Sequence, residues 1–158
     1  RYMFVKTVKV KKPGAALAGA AAILLCIIVV IAMIIGKAGK PTVYTLKTEA
    51  QRQDFMKSMG WKVSEEYTEC KVITIPEEFN DVYKKYNELQ KKQGFDLEKY
   101  KGKTVEVYTY QVLNYKGHEE KDCMICNLMI CDGVLVGGDV CCTELDGFIQ
   151  GLKNPEMK

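Results

Sequence analysis

The residues of this chain with the widest chemical repertoire are seven cysteines and one histidine. One cysteine, Cys26, lies in a long apolar segment near the start; the other six are Cys70, Cys123, Cys126, Cys131, Cys141 and Cys142. An even number of thiols permits disulfides in an oxidising compartment. Yet five of the six stand in apolar, strand-like runs, where free cysteine behaves as a small buried hydrophobe. Both states stay open from the sequence. Cys123-x-x-Cys126 has the spacing of a redox or zinc motif. A redox motif needs its first thiol at a helix N-terminus, where the dipole lowers its pKa, and this one sits in "DCMICNLMIC", which reads as a strand. Along a strand, residues three apart point to opposite faces, so this pair would not share one ion, and the adjacent Cys141 and Cys142 diverge likewise. A tetrahedral zinc site takes four converging ligands, and His118 lies in the polar turn "KGHEE". The expectation is therefore no metal and no cofactor.

With a single histidine, most triad and acid–base schemes fall away. Carboxylate pairs exist at Glu65-Glu66, Glu77-Glu78 and Glu119-Glu120, but they read as solvated turns and helix starts; Glu77 and Glu78 suit a helix N-terminus. No catalytic residue is expected. Gly137-Gly138 has no phosphate-loop context and reads as a bulge or a close backbone contact. Asp139 follows it and precedes an apolar run, where a carboxylate is costly unless paired or exposed. Either it faces solvent or caps a turn, or it contacts a ligand or partner near Trp61 or Tyr115. Those three form the candidate contact set, although Trp61 also reads as core, starting a strand after a helix stop. Tyr83, Tyr86, Tyr108 and Tyr110 fit a core between helix and sheet.

The elements that must position these residues follow from periodicity. Thr48 and Gln51 form a capping-box signature, and Ala50, Phe55, Met56 and Met59 give a helix over 49–59 ended by Gly60. Trp61 and Val63 alternate as a short strand, and "CKVITIP" predicts a strand over 69–75. Phe79, Val82, Tyr83, Tyr86 and Leu89 share one face of a helix over 77–93, stopped by Gly94. Phe95, Leu97 and Tyr100 form a short turn beneath it. "KTVEVYTYQVLNY" predicts a long strand over 103–115. The nearly continuous apolar run after it is a strand covered on both faces, joined by Asp132-Gly133 in a hairpin to "VLVGGDVCC". The tail "LDGFIQGL" predicts one helical turn. This is an α+β fold, an antiparallel sheet of about five strands with helices packed on one face.

Ahead of that domain runs "AALAGAAAILLCIIVVIAMII", Ala15 to Ile35, without charge or proline. As a helix it reaches about 31 Å, the thickness of a bilayer core, and it is apolar all round. Arg1, Lys6, Lys9, Lys11 and Lys12 precede it and predict a cytoplasmic N-terminus with the rest outside the cell membrane. The resulting organisation is a basic cytoplasmic arm over 1–14, a transmembrane helix over 15–36, a linker over 37–47 and an extracytoplasmic domain over 48–158. A cleaved signal peptide, cut after Ala38, is the rival reading; a lipoprotein signal is excluded by Leu25 ahead of Cys26. Residues 1–40 carry seven basic residues and no acid, whereas the remainder carries 16 basic and 20 acidic residues. The acidic domain argues against a nucleic-acid partner, and anionic lipid accounts for the basic arm.

The strings "DFMKSMGW", "ITIPEEFNDVYKKYNELQKKQGFDLEKYKGKTVEVYTYQVLNY" and "VLVGGDVC" resemble the bacterial domain-of-unknown-function family numbered 4830. The resemblance covers about residues 48–152. It implies a bacterial origin, a shared fold and one N-terminal span, and it implies no activity, so no catalytic residue is carried over. The expected function is a single-pass, membrane-anchored extracytoplasmic module. It would bind an unknown protein or envelope ligand, with the bilayer as partner of Ala15 to Ile35. Alternatives are an envelope-acting enzyme using surface carboxylates and a thiol–disulfide protein.

Overall fold

The computed structural model describes residues 42–157. The expected basic arm, the apolar segment from Ala15 to Ile35 and the rival cleavage position after Ala38 lie outside the described residues. Among the described residues no helix is long and apolar enough to cross a membrane.

Helix α1, Glu49–Ser58, begins with the expected capping box. The Thr48 hydroxyl accepts from the Gln51 N–H at 3.3 Å, and Gln51 Oε1 accepts from the Thr48 N–H at 3.1 Å. It ends in a Schellman motif: the Gly60 N–H reaches Lys57 O and the Trp61 N–H reaches Met56 O, with Gly60 left-handed at φ 87°. Helix α2, Asp81–Lys92, closes in the same way through Gly94 and Phe95. Its start corrects the expected 77–93. Asn80 caps it by accepting from the Tyr83 N–H at 2.8 Å, so Glu77 and Glu78 lie outside the helix and do not meet its N-terminal dipole. A single 3₁₀ turn, Leu97–Tyr100, follows and buries Leu97 completely.

The sheet is an antiparallel meander, β1 (Glu69–Thr74), β2 (Thr104–Gln111), β3 (Met124–Cys131), β4 (Val134–Cys142) and β5 (Ile149–Gln150), in spatial order β1-β2-β3-β4-β5. Asp132 and Gly133 both take positive φ, 50° and 77°, as a two-residue turn between right-twisted strands demands. Strand β2 is shorter than the expected 103–115: Val112 makes one last bond to Met124 O and an isolated bridge to Val63, and from Leu113 the chain turns aside to bond Lys62. The tail is not a helical turn. Ile149 and Gln150 pair with Cys141 and Val140, satisfying part of the otherwise open edge of β4.

The helices do not share a face. Along β3 the even residues, Met124 to Ile130, join a core with Phe55 and Met56 of α1, whereas Met129 and Cys131 join a second core beneath Tyr83 and Tyr86 of α2. A strand apolar on both sides needs cover on both sides, which places α1 and α2 on opposite faces. The C-terminal end of α2 also finishes the edge of β4. Gln90 Oε1 accepts from the Gly138 N–H at 2.9 Å, and Gln93 Nε2 donates to Gly138 O at 3.0 Å, replacing a neighbouring strand.

Candidate functional site

On the α2 face the helix covers β3 and β4 but leaves part of β1 and β2 bare. The result is a cleft of about 400 Å³ between Tyr83 and Tyr86 on one side and Ile73, Val107 and Met129 on the other. Glu69 and Lys71 stand in its wall, ion-paired at 2.8 Å. Its floor holds Asp139, only 4% exposed. Register explains the placement: Asp139 lies directly across from Asn127, and both point to the face that α2 covers. Asp139 Oδ2 accepts from the Tyr86 hydroxyl at 2.7 Å and Oδ1 from Asn127 Nδ2 at 3.1 Å. Burial pushes the Asp139 carboxyl above the ordinary aspartate range, while the bonds from Tyr86, Asn127 and Cys141 favour its ionised form. Burial and the Asp139 charge hold the Tyr86 phenol far above its usual range. Burial and that same charge push the Cys141 thiol up to about 12. Asp139 is thus neither solvated nor a turn cap; it is a buried acid held by neutral donors alone.

The other two members of the expected contact set lie elsewhere. Trp61 is 3% exposed, belongs to the α1-side core, and donates its indole N–H to Leu152 O at 2.6 Å. Tyr115 stacks on Trp61, with ring centroids 5.6 Å apart and planes 10° apart, and its hydroxyl bonds Gln150 at 2.7 Å. The sheet separates both from the cleft, so a site joining them to Asp139 is not formed. The acid pairs Glu65-Glu66, Glu77-Glu78 and Glu119-Glu120 do not line this cleft.

A second polar network, on the α1 face, was not anticipated. Arg52 is buried, bonds the Tyr110 hydroxyl through Nε at 2.8 Å, and pairs with Glu49 at 2.9 Å. Its guanidinium lies 3.9 Å from the centre of the Tyr108 ring. The network's bonds to Tyr110 run between α1 and β2, so it fixes α1 on the sheet.

The cysteines divide by environment. Cys70 is exposed on β1, a strand whose six residues are all exposed, which departs from the apolar setting expected for it. Cys126 and Cys131 are buried separately in the two cores. Cys123 does not meet Cys126; it meets Cys142. Register sets Met124 opposite Cys142, and Thr143 bonds Cys123 O through both its N–H (2.8 Å) and its hydroxyl (3.2 Å). His118 and Glu144 close on the same two thiols, and the four ligand atoms all lie within 4.8 Å of one another. Burial and a hydrogen bond with Cys142 push the Cys123 thiol up. This gathering corrects the expectation that His118 and the cysteines do not converge. The expectation weighed spacing along one strand, and the partners meet across two.

Residues 55–140, more than half of the chain, match the model of the domain of unknown function DUF4830. No curated protein and no solved structure matches the chain. The match runs from the middle of α1 through Asp139 and stops just short of Cys142, and on its strength the chain belongs to the DUF4830 family.

Proposed function

We propose that this protein is a membrane-anchored binding module. Residues 15–36 cross the bilayer with the basic arm in the cytoplasm, and the domain stands outside and takes a ligand in the Asp139 cleft. The observation that carries the binding role is the unbalanced acid on the cleft floor. Glu69 and Lys71 cancel each other in the wall, and among the described residues no cation lies within salt-bridge reach of Asp139, whose contacts are neutral hydrogen-bond donors. A buried carboxylate is stabilised most by an opposite charge. The walls are apolar and aromatic and favour an apolar body, with ring faces available to a cation. The ligand class that fits is a small group, or a side chain of a partner, carrying a positive head on an apolar stem.

The matched pair benzylamine and benzyl alcohol separates charge from shape. Saturation-transfer NMR on the full chain should show benzylamine binding about tenfold tighter, the effect of about 1.4 kcal/mol. Asp139→Asn should abolish that preference while leaving the alcohol unchanged. Because burial raises the Asp139 pKa, amine binding should strengthen as pH rises through and above the ordinary aspartate range, where the carboxylate fills in. Equal binding of amine and alcohol, or a preference that survives in Asp139→Asn, would sink the reading.

The location has its own test, because Cys70 is exposed. A membrane-impermeant maleimide added to intact cells or spheroplasts should label the wild-type chain and spare Cys70→Ser. Labelling that appears only after lysis would put the domain on the cytoplasmic side.

A further inference from the structure

Four side chains from two separate stretches of chain converge at one end of the sheet. Cys123 is the last residue of the β2–β3 loop and Cys142 the last of β4. The register between β3 and β4 and the double bond from Thr143 to Cys123 O fix these two before any ligand is considered. Glu144 follows two residues on, with its Oε2 3.9 Å from Cys142 Sγ. His118 comes from the loop and is walled by the rings of Tyr115 and Phe148, at 5.4 and 6.0 Å between centroids.

A second observation points to a missing partner. His118 Nδ1 is buried and has no hydrogen-bond partner, and a buried nitrogen left unsatisfied is unfavourable. Meanwhile Glu144 is held from its outer side: Lys121 Nζ donates to Oε1 at 3.1 Å and to Oε2 at 3.4 Å, and Oε2 also accepts from the Cys142 thiol. A cation behind a carboxylate that reaches the thiols is how an outer partner orients a metal ligand.

We propose that Cys123, Cys142, His118 and Glu144 bind one Zn²⁺ ion. Two sulfurs, one imidazole and one carboxylate form a borderline-soft donor set that favours zinc over magnesium or calcium. Both thiols release their protons on binding. Two thiolates and a carboxylate leave the centre one negative charge, which the Lys121 ammonium offsets. Tetrahedral zinc sets its ligand atoms about 3.3–3.8 Å apart. The present spread of up to 4.8 Å therefore closes by about 1 Å, within the reach of side-chain torsions. With four protein ligands the site is structural: it ties the β2–β3 loop to the end of β4.

The test is cobalt titration of the full chain in detergent, with thiols reduced and metal removed beforehand. One cobalt per chain should bind with thiolate-to-metal charge-transfer absorption and the intense visible bands of a tetrahedral ion, and zinc should bleach both. Cys123→Ser or Cys142→Ser should remove most of the charge-transfer band, and His118→Ala should weaken binding by at least about tenfold. Cys126→Ser, the other half of the C-x-x-C spacing, should leave cobalt binding unchanged. A readout without variants guards against misfolding: in the wild type, zinc should shield Cys123 and Cys142 from alkylation and leave Cys70 reactive. Absence of thiolate charge transfer at stoichiometric cobalt, or a band indifferent to both serine substitutions, overturns the proposal. So does failure of zinc to shield the two thiols, or a Cys123–Cys142 disulfide in chain isolated without reductant.

Discussion

Gly138→Ala should destabilise the domain by about 3 kcal/mol, at the upper end of what overpacking a tight interior costs. The reason is space. A Cβ on Gly138 would sit 2.5 Å from the backbone oxygen of Asn127 on β3 and 3.0 Å from both methyl groups of Leu152. A side chain can rotate away, but a carbonyl in a ladder cannot move without parting two strands. The same displacement strains the bonds from Gln90 and Gln93 that finish the edge of β4. It also lifts Asp139, the next residue, out of register with Asn127. Denaturation should therefore show the urea midpoint falling by about 2 M. Trp61, the only tryptophan, serves as the probe. In any folded fraction the preference for benzylamine over benzyl alcohol should shrink. Gly94→Ala is the control with the opposite cause. Nothing lies within 4 Å of its added Cβ, but its φ is 88°, so it should cost about 1 kcal/mol and leave amine binding untouched. If Gly138→Ala were no worse than Gly94→Ala, the close approach of β3 and β4 at this point would be wrong.

Gly138 also shows what kind of information the sequence carries. A Gly-Gly pair in a strand announces a bulge or a close approach, and both are present. The ladder shifts between Met129 and Ile130, and Gly138 touches β3. Local signals of this sort were legible: the Thr48–Gln51 box, the Gly60 and Gly94 terminators, the Asp132-Gly133 hairpin. So were an antiparallel sheet and four of its strands, but not the fifth: the short strand expected at Trp61 and Val63 makes only a single bridge, from Val63 to Val112, and the fifth strand is Ile149–Gln150. What misled was reasoning one element at a time. The apolar run from Met124 to Cys131 already required cover on both faces, yet the helices were expected on one. Taken together, the two readings conflict, and opposite faces is the only resolution. The start of α2 slipped because Pro76, Glu77 and Glu78 are good first-turn residues, while the Asn80 side chain makes a stronger cap further on. The tail turned out as a strand because a free ladder edge outweighs the weak helical preference of a few residues.

The candidate sites divide along the same line. Asp139 was legible as an oddity, since a carboxylate between glycines and an apolar run has to be explained. Its partners Tyr86 and Asn127 were not, because they come from α2 and β3 and depend on register. The His118–Cys123–Cys142–Glu144 cluster was hidden altogether. The C-x-x-C spacing drew attention to Cys126, which belongs to the interior, while the true neighbour of Cys123 is 19 positions on, across a hairpin whose bulge shifts the pairing. Only the position of the bulge decides whether Cys142 or Cys141 ends on that face.

Trp61→Ala should cost about 3–5 kcal/mol, the largest loss expected of any single truncation here. Trp61 is where a ligand-contact reading and a core reading predict opposite experiments. The Schellman turn after α1 delivers it inward, with its N–H bonded to Met56 O. It packs in the same core as Met56, the contact that usually accompanies that motif. Its indole donates to Leu152 O, and its ring stacks on Tyr115. Removing it empties a large buried volume, forfeits a stack worth about 0.5–1.5 kcal/mol, and frees the tail that Asn154 also pins to Met59 O and Gly60 O. Circular dichroism must follow the unfolding, since the fluorescent probe is gone. Hydrogen exchange should quicken first at residues 149–154. Trp61→Phe separates the contributions: it keeps most of the apolar area and loses the hydrogen bond, so it should cost about 1–2 kcal/mol. Neither variant should change the amine preference of the cleft while the chain stays folded, because the sheet lies between. They should weaken cobalt binding, because Tyr115 both stacks on Trp61 and walls His118. A Trp61→Ala chain of wild-type stability with altered amine binding would reverse the assignment and return this residue to the ligand surface.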